Sequence, residues 1–136
     1  MIKPHGSDSL NALLIDNETD RKRLLDNAVR LPTLMLNSAA AANLVMLGAG
    51  YFNPLKGFMG LSDALSICES LHTTSGLFWP VPVINLVRDK PSFGAGSKIA
   101  LLDPNVDGHP IMAVMEVSAV ELSLIHISEP TRHLRI

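Results

Sequence analysis

The sequence is short of cysteine, aromatic residues and charge, and each shortage narrows the possible classes of protein. Cys68 is the one cysteine among 136 residues, so the chain cannot form an internal disulfide, which agrees with a reducing compartment. Aromatic residues make up 4% and the net charge is −2, which disfavours a basic, base-stacking surface for nucleic acid. Charged residues make up only 18% and the mean hydropathy is +0.26, which predicts apolar surface that another domain or subunit covers.

Membrane-spanning and export segments are also not indicated. The longest stretch without Asp, Glu, Lys or Arg runs from Leu31 to Leu55, but prolines, glycines and asparagines interrupt it, so it does not predict a membrane span. Residues 1–8 contain no apolar run of the kind that forms a signal peptide, so we expect a cytoplasmic protein. With 47% apolar residues, the chain is expected to fold around one core.

The first helix is predicted at residues 19–30, with Thr19 or Asp20 as its N-cap. It would end before Pro32, because proline disfavours helical backbone at the residue that precedes it. A short strand at 31–36 is predicted to follow.

The second helix is predicted at residues 39–47, capped by Asn37 or Ser38 and ended by Gly48. It carries no charge on any face. Such a helix is typical of a protein interior, so the sequence predicts that it is buried nearly all round and forms the central packing element.

The third helix is predicted with Ser62 as its N-cap, because apolar residues then recur at helical spacing at Ala64, Ile67, Cys68 and Leu71. A thiol with a histidine one turn later could form a nucleophile and its base, as Cys68 and His72 would. A cysteine on an apolar stripe more commonly packs as a small hydrophobe. We therefore interpret Cys68 as a core residue and His72 as a mark of the helix C-terminus.

The second half of the chain has β-type composition. Residues 77–87 are rich in Val, Ile, Phe and Trp but contain two prolines, which predicts an edge strand or one that begins after them. Two further runs at 98–102 and 111–117 are separated by turn residues at 103–108, so a β-hairpin is predicted there.

Other candidate sites have weaker signals. His5 and His109 have no further ligand at metal-binding spacing, so both are interpreted as surface residues. Asp103 and Asp107 lack the rest of a calcium-loop pattern and are interpreted as turn formers.

Two glycine-containing segments, at 48–50 and 94–97, do not follow a strand and precede a helix as phosphate-binding loops do. The cluster Arg21-Lys22-Arg23 lies beside acidic residues, which favours a solvated helical face over a nucleic-acid patch. The sequence therefore offers no catalytic, cofactor-binding or metal-binding residue.

Residues 122–136 do not continue any earlier pattern. They resemble a peptide that arises when library adapter sequence is translated in frame, so we exclude them from fold reasoning. The native sequence is expected to end near Glu121, which leaves one domain at 1–121.

Several segments, taken in order, resemble the N-terminal region of sulfate adenylyltransferases, also called ATP sulfurylases. The two most informative are Gly48-Ala49-Gly50-Tyr51-Phe52-Asn53-Pro54-Leu55-Lys56-Gly57-Phe58-Met59 and Phe78-Trp79-Pro80-Val81-Pro82-Val83. Further matches are Met1 to Gly6, Leu31-Pro32 and Lys98 to Pro104. The segment Gly48 to Met59 and the turn Asp103-Pro104-Asn105-Val106 look most like enzymes of bacterial sulfur oxidisers and sulfate reducers.

The resemblance implies an α+β fold: a PUA-like, mainly β pseudo-barrel domain with flanking helices. In the family this domain precedes a nucleotidyltransferase domain that forms adenosine 5′-phosphosulfate and pyrophosphate from ATP and sulfate, or runs the reverse reaction. The family places its phosphate-holding groups in a Gln-x-Arg-Asn-Pro segment and a Gly-Arg-Asp-His-Ala-Gly segment, and neither occurs here. The resemblance therefore carries over no catalytic residue.

We expect a domain fragment of such a transferase, inactive alone and without its own cofactor, with ATP and sulfate as substrates of the parent enzyme. Its expected partners are the catalytic domain and further copies of the full-length chain, with neither nucleic acid nor membrane among them. The alternative is a free-standing PUA-like module that binds RNA or serves in assembly.

Overall fold

The computed structural model describes residues 2–123 and 134–135, with side chains described through residue 121. The chain divides into two compact units, Met1–Gly57 with Lys98–Glu116, and Phe58–Ser97 with Val117–Ile136. Within the described part, no helix is both long and apolar enough to cross a membrane. The prediction of a non-native tail at 122–136 falls mainly on residues 124–133 and 136, which lie outside the described residues.

In the first unit, helix α1 spans Glu18–Ala28. Its N-cap is Asn17, whose side-chain oxygen accepts hydrogen bonds from the backbone N–H groups of Thr19 and Asp20 at 2.8 and 3.2 Å. The prediction that Thr19 or Asp20 caps this helix is therefore wrong. Both residues lie inside the first turn, where their amides need an acceptor placed before them in the chain.

Helix α2 spans Ser38–Gly48, and Asn37 caps it by accepting from the Ala40 N–H at 2.8 Å. The predicted cap Asn37 is confirmed, and α2 ends near the predicted position. Gly48 is its last helical residue, and the left-handed glycine that follows the helix is Gly50, with φ +83° and an N–H that donates to the Leu47 carbonyl at 3.2 Å. The prediction that α2 is buried nearly all round is wrong, because only Ala40, Ala41 and Leu47 are buried. Val45 is 58% exposed and Met46 is 37% exposed, so α2 contacts the core along one side only.

A three-stranded sheet completes the core of this unit. Strand β1 (Thr33–Met35) runs parallel to β2 (Lys98–Leu102), and β2 runs antiparallel to β3 (Ile111–Glu116). The hairpin predicted for β2 and β3 is confirmed. In the turn, the Asp103 carboxylate accepts from the Asn105 N–H at 2.8 Å, which confirms Asp103 as a turn former. Three residues in the middle of β2 are fully buried: Ile99, Ala100 and Leu101.

In the second unit, helix α3 spans Leu61–Ser70 and buries Ala64 and Ile67. The predicted helix is confirmed, but Ser62 is not its cap. Gly60 occupies the N-cap position, where it has no side chain to offer. At the other end, Leu71 adopts the left-handed conformation with φ 58° and ends the helix.

Residues 77–87 do not form the predicted strand. They are irregular backbone with isolated bridge positions, one of which pairs Phe78 with His72. Trp79 and Val83 are nevertheless buried, and the Met59 N–H donates to the Val83 carbonyl at 2.7 Å. Prolines at 80 and 82 remove the backbone donors that a sheet would need. The segment therefore contributes to the core without entering a sheet.

Strand β4 (Leu122–Ser123) pairs with β5 (Leu134–Arg135) in the same unit. With three helices and a small mixed sheet, the chain has the predicted α+β class. The share of β structure in the described residues is smaller than a mainly β domain implies. The irregular conformation of 77–87 accounts for part of the difference.

Candidate functional site

Cys68 is exposed to solvent, so the interpretation of this residue as part of the core is wrong. The apolar stripe of α3 is buried at Ala64 and Ile67 but not at Cys68 or Leu71, because the helix packs mainly through its first two turns.

His72 lies directly after the C-cap of α3, as the sequence predicts. Its Nδ1 lies 2.7 Å from the carbonyl oxygen of Ser70, and since a carbonyl only accepts, Nδ1 carries the proton of this bond. The ring packs edge-on against Phe78, with centroids 5.7 Å apart. The ring thus contributes to ending the helix, and the contacts described for it, to Ser70 and Phe78, do not include the Cys68 thiol.

The two other histidines in the described part of the chain lie at the surface, as predicted. His5 and His109 are both exposed, and His109 Nδ1 lies 2.9 Å from the carbonyl oxygen of Asp103. Among residues 2–123, no three His, Cys, Asp or Glu side chains are grouped so that they could hold a metal ion.

The basic cluster on α1 forms a solvated face, also as predicted. Arg21, Lys22 and Arg23 are exposed, and Arg23 lies 3.7 Å from the Asp20 carboxylate one turn away. Both side chains of this pair are more than half exposed, so the pair contributes little to stability.

The Asn53 side chain connects the N-terminal segment to the loop after α2. Asn53 is 7% exposed, its Nδ2 donates to Ser7 Oγ at 2.7 Å and to the His5 carbonyl at 3.4 Å, and its Oδ1 accepts from the Asn11 N–H at 3.2 Å. The buried amide is therefore satisfied by three partners in a segment more than 40 residues away. Asn53 belongs to the Gly48–Met59 segment, but the sequence alone does not reveal this role, because the partners of Asn53 are distant in the chain.

An uncharged patch surrounds the C-terminal end of α2. The Gly48 carbonyl accepts from the N–H groups of Leu13 and Leu14 at 2.8 and 3.1 Å, and the Tyr51 N–H donates to the Met46 carbonyl at 3.0 Å. These bonds hold five exposed apolar side chains around one helix end. We call them the α2 apolar face: Leu13 (42% exposed), Leu14 (62%), Val45 (58%), Met46 (37%) and Tyr51 (75%).

The fold and its surface can be compared with known proteins. Residues 2–123 match the model of a family described as PUA-like domain, and the chain belongs to that family. Over 121 residues it is 47% identical to the sulfate adenylyltransferase of Alcanivorax borkumensis and 49% identical to that of Allochromatium vinosum. Each match covers 89% of this chain but 30% of the relative. The chain thus matches an N-terminal domain of these proteins and spans about 30% of their length.

A solved structure also resembles this chain in fold. The structure named "Hexameric APS kinase from Thiobacillus denitrificans" superposes with a TM-score of 0.74 and 27% identity, covering 99% of this chain and 26% of that chain. None of these relatives is named as an RNA-binding protein, so the comparisons do not support the RNA-binding alternative.

Proposed function

We propose that this chain serves as the N-terminal PUA-like domain of a sulfate adenylyltransferase, an enzyme that forms adenosine 5′-phosphosulfate and pyrophosphate from ATP and sulfate. The observation that carries the proposal is that 89% of this chain matches sulfate adenylyltransferases at 47–49% identity. The chain spans 30% of each relative's length, which supports a proposed arrangement in which a separate catalytic domain carries the chemistry. The role of the present domain is to support that domain structurally.

The charges of the described residues support this division of labour. Transfer of an adenylyl group concentrates negative charge on the phosphates, which requires converging cations and hydrogen-bond donors. Lys3 is paired with Asp8 at 2.7 Å and Arg23 lies beside Asp20. These cations lie on exposed side chains that are already next to carboxylates, which suits a solvated surface better than a nucleotide site.

Assembly and location form part of the proposal. The full-length protein is proposed to be a homo-oligomer, which the hexameric state named for the solved neighbour supports. A cytoplasmic location is proposed because the single thiol is unpaired and exposed, as suits a reducing compartment. We propose no cofactor for this chain, and ATP and sulfate are proposed as substrates of the parent enzyme.

A domain replacement tests the proposed function. Residues 1–121 would replace the corresponding segment of the Allochromatium vinosum enzyme, and pyrophosphate release from ATP and sulfate would be measured. We expect activity within about tenfold of the parent, because interdomain contacts should be largely kept at 49% identity. The matched control carries Ile67→Asp, which places a charge at a site 1% exposed and should abolish folding of the domain.

Two outcomes would contradict the proposal. A soluble, folded replacement enzyme without turnover would show that this chain does not serve as the N-terminal domain of a sulfate adenylyltransferase. Turnover by the purified 136-residue chain above a control without enzyme would show that the chain itself carries the chemistry.

A further inference from the structure

The two sides of α2 differ in what they contact. Ala40, Ala41 and Leu47 are buried, whereas Ala42, Val45 and Met46 share the opposite side at i, i+3 and i+4 spacing and are exposed. An amphipathic helix normally exposes charged or polar residues on its outer side. The outer side of α2 is apolar, so this helix has a second side suited to packing.

Neighbouring residues extend this outer side into the α2 apolar face. Leu14 approaches α2 closely: its Cδ2 lies 3.2 Å from the position that a Cβ atom on Gly48 would take. No Asp, Glu, Lys or Arg occurs from Leu31 to Leu55, so the helix and the loop after it contribute no charge. Methionine and tyrosine are both enriched in the centres of protein interfaces, where charged residues are depleted.

The composition of the α2 apolar face favours a permanent interface over a transient one. Uncharged apolar interfaces are typical of permanent contacts, since a partner that dissociates would leave the patch exposed to water. The curated relatives extend well beyond the matched 30% of their length. In such a protein the rest of the polypeptide is covalently attached and present at an effective concentration in the millimolar range.

We infer that the α2 apolar face is the surface on which the remainder of the parent polypeptide docks. This inference rests on the proposed function, because it takes its occupant from the length of the sulfate adenylyltransferase relatives. Val45 and Met46 lie on α2 itself, and Leu13, Leu14 and Tyr51 lie on segments whose backbone is hydrogen-bonded to its C-terminal turn. Docking removes these side chains from water within a single chain.

Amide hydrogen exchange in the domain-replaced enzyme tests the inference. The peptide covering residues 42–51 should exchange at least about tenfold more slowly in that enzyme than in the 136-residue chain, because docking opposes opening of the helix end. The double variant Val45→Lys/Met46→Lys should remove this difference. In the 136-residue chain it should shift the unfolding midpoint by no more than about 3 °C, because both positions are exposed there.

Val106→Lys is the matched control. Val106 is 48% exposed and lies in the β2–β3 turn, where Asn105 Oδ1 accepts from Ser38 Oγ at 2.8 Å at the opposite end of α2. The control should leave the protection of residues 42–51 unchanged. Equal loss of protection in the control and the double variant would overturn the inference.

A dilution series separates the remainder of the same chain from a second copy. Protection of residues 42–51 should be independent of protein concentration, whereas protection that falls on dilution would assign the face to a second copy and overturn the inference. An enzyme that is active but unprotected at 42–51 refutes the docking inference alone. An enzyme that is inactive but protected refutes the proposed function alone.

Discussion

Glu121 caps a helix that begins 60 residues earlier in the chain. Its Oε2 accepts a hydrogen bond of 2.7 Å from the backbone N–H of Leu61, the first residue of α3. The N-cap residue Gly60 has no side chain to do this, and a Cβ atom added there would lie 3.5 Å from the same carboxylate oxygen. The carboxylate thus supplies both an acceptor and a negative charge at the positive end of the helix dipole.

Replacing Glu121 should therefore destabilise the second unit. Glu121→Ala should lower the free energy of unfolding by about 1 kcal/mol, the usual cost of losing a helix cap, and should speed hydrogen exchange at the Leu61 amide. Glu121→Gln keeps an acceptor and should cost less. Glu69→Ala removes an exposed acid near the opposite end of α3 and should cause no loss in urea unfolding. Equal losses for Glu121→Gln and Glu121→Ala would contradict the role of the hydrogen bond.

Asn53→Ala should loosen the N-terminal segment. The substitution removes the partners of Ser7 and Asn11, and losing such partly buried hydrogen bonds costs about 1–3 kcal/mol. Limited proteolysis should cut within residues 2–16 faster than in the unaltered chain. The control, Asn27→Ala, changes an exposed asparagine on α1 and should leave the cleavage rate as it was. Unchanged cleavage in Asn53→Ala would show that the amide does not hold this segment.

Gly50→Ala should destabilise the loop after α2. Gly50 has φ +83°, and a Cβ atom there would lie 3.4 Å from the Ala12 Cα. The left-handed conformation costs a residue with a side chain about 1–2 kcal/mol, which urea unfolding would detect. Gly57→Ala is the control, because a Cβ atom at Gly57 would meet no atom within 4 Å. A Gly50→Ala variant as stable as Gly57→Ala would contradict the described backbone.

The Cys68 thiol should react in the folded protein. Because its side chain is exposed, a disulfide reagent such as dithionitrobenzoate should modify one thiol per chain at a rate within about tenfold of that in urea. Cys68→Ser should leave the unfolding midpoint nearly unchanged, as exposed substitutions usually do. A thiol that reacts only after unfolding would restore the interpretation of Cys68 as a core residue.

Leu101→Ala should be among the most damaging substitutions in the first unit. Leu101 is 0% exposed and lies in the central strand, opposite Leu34 and Ala113. Truncating a buried leucine costs about 2–5 kcal/mol, measured by urea unfolding. Met35→Ala, at a residue 44% exposed on the edge strand, should cost much less. Similar losses for the two variants would contradict the position of Leu101 in the core.

Features that depend on neighbouring residues can be predicted from the sequence alone. Asn37 marks the start of α2 because N-capping is decided within one turn. The β2–β3 hairpin follows from turn residues between two apolar runs, and the stripe at Ala64 and Ile67 predicts α3. The family resemblance likewise rests on short segments whose residues and order can be read directly.

Which surfaces are covered and which distant groups meet depends on how the whole chain folds. Three sets of contacts join residues that are far apart in the chain. They are the parallel pairing of Leu34 with Leu101, the capping of Leu61 by Glu121, and the bonds of Asn53 to Ser7 and Asn11. No local pattern encodes such partners. The exposure of Val45 and Cys68 has the same origin, because the burial of a helix face depends on what packs against it as well as on its own residues.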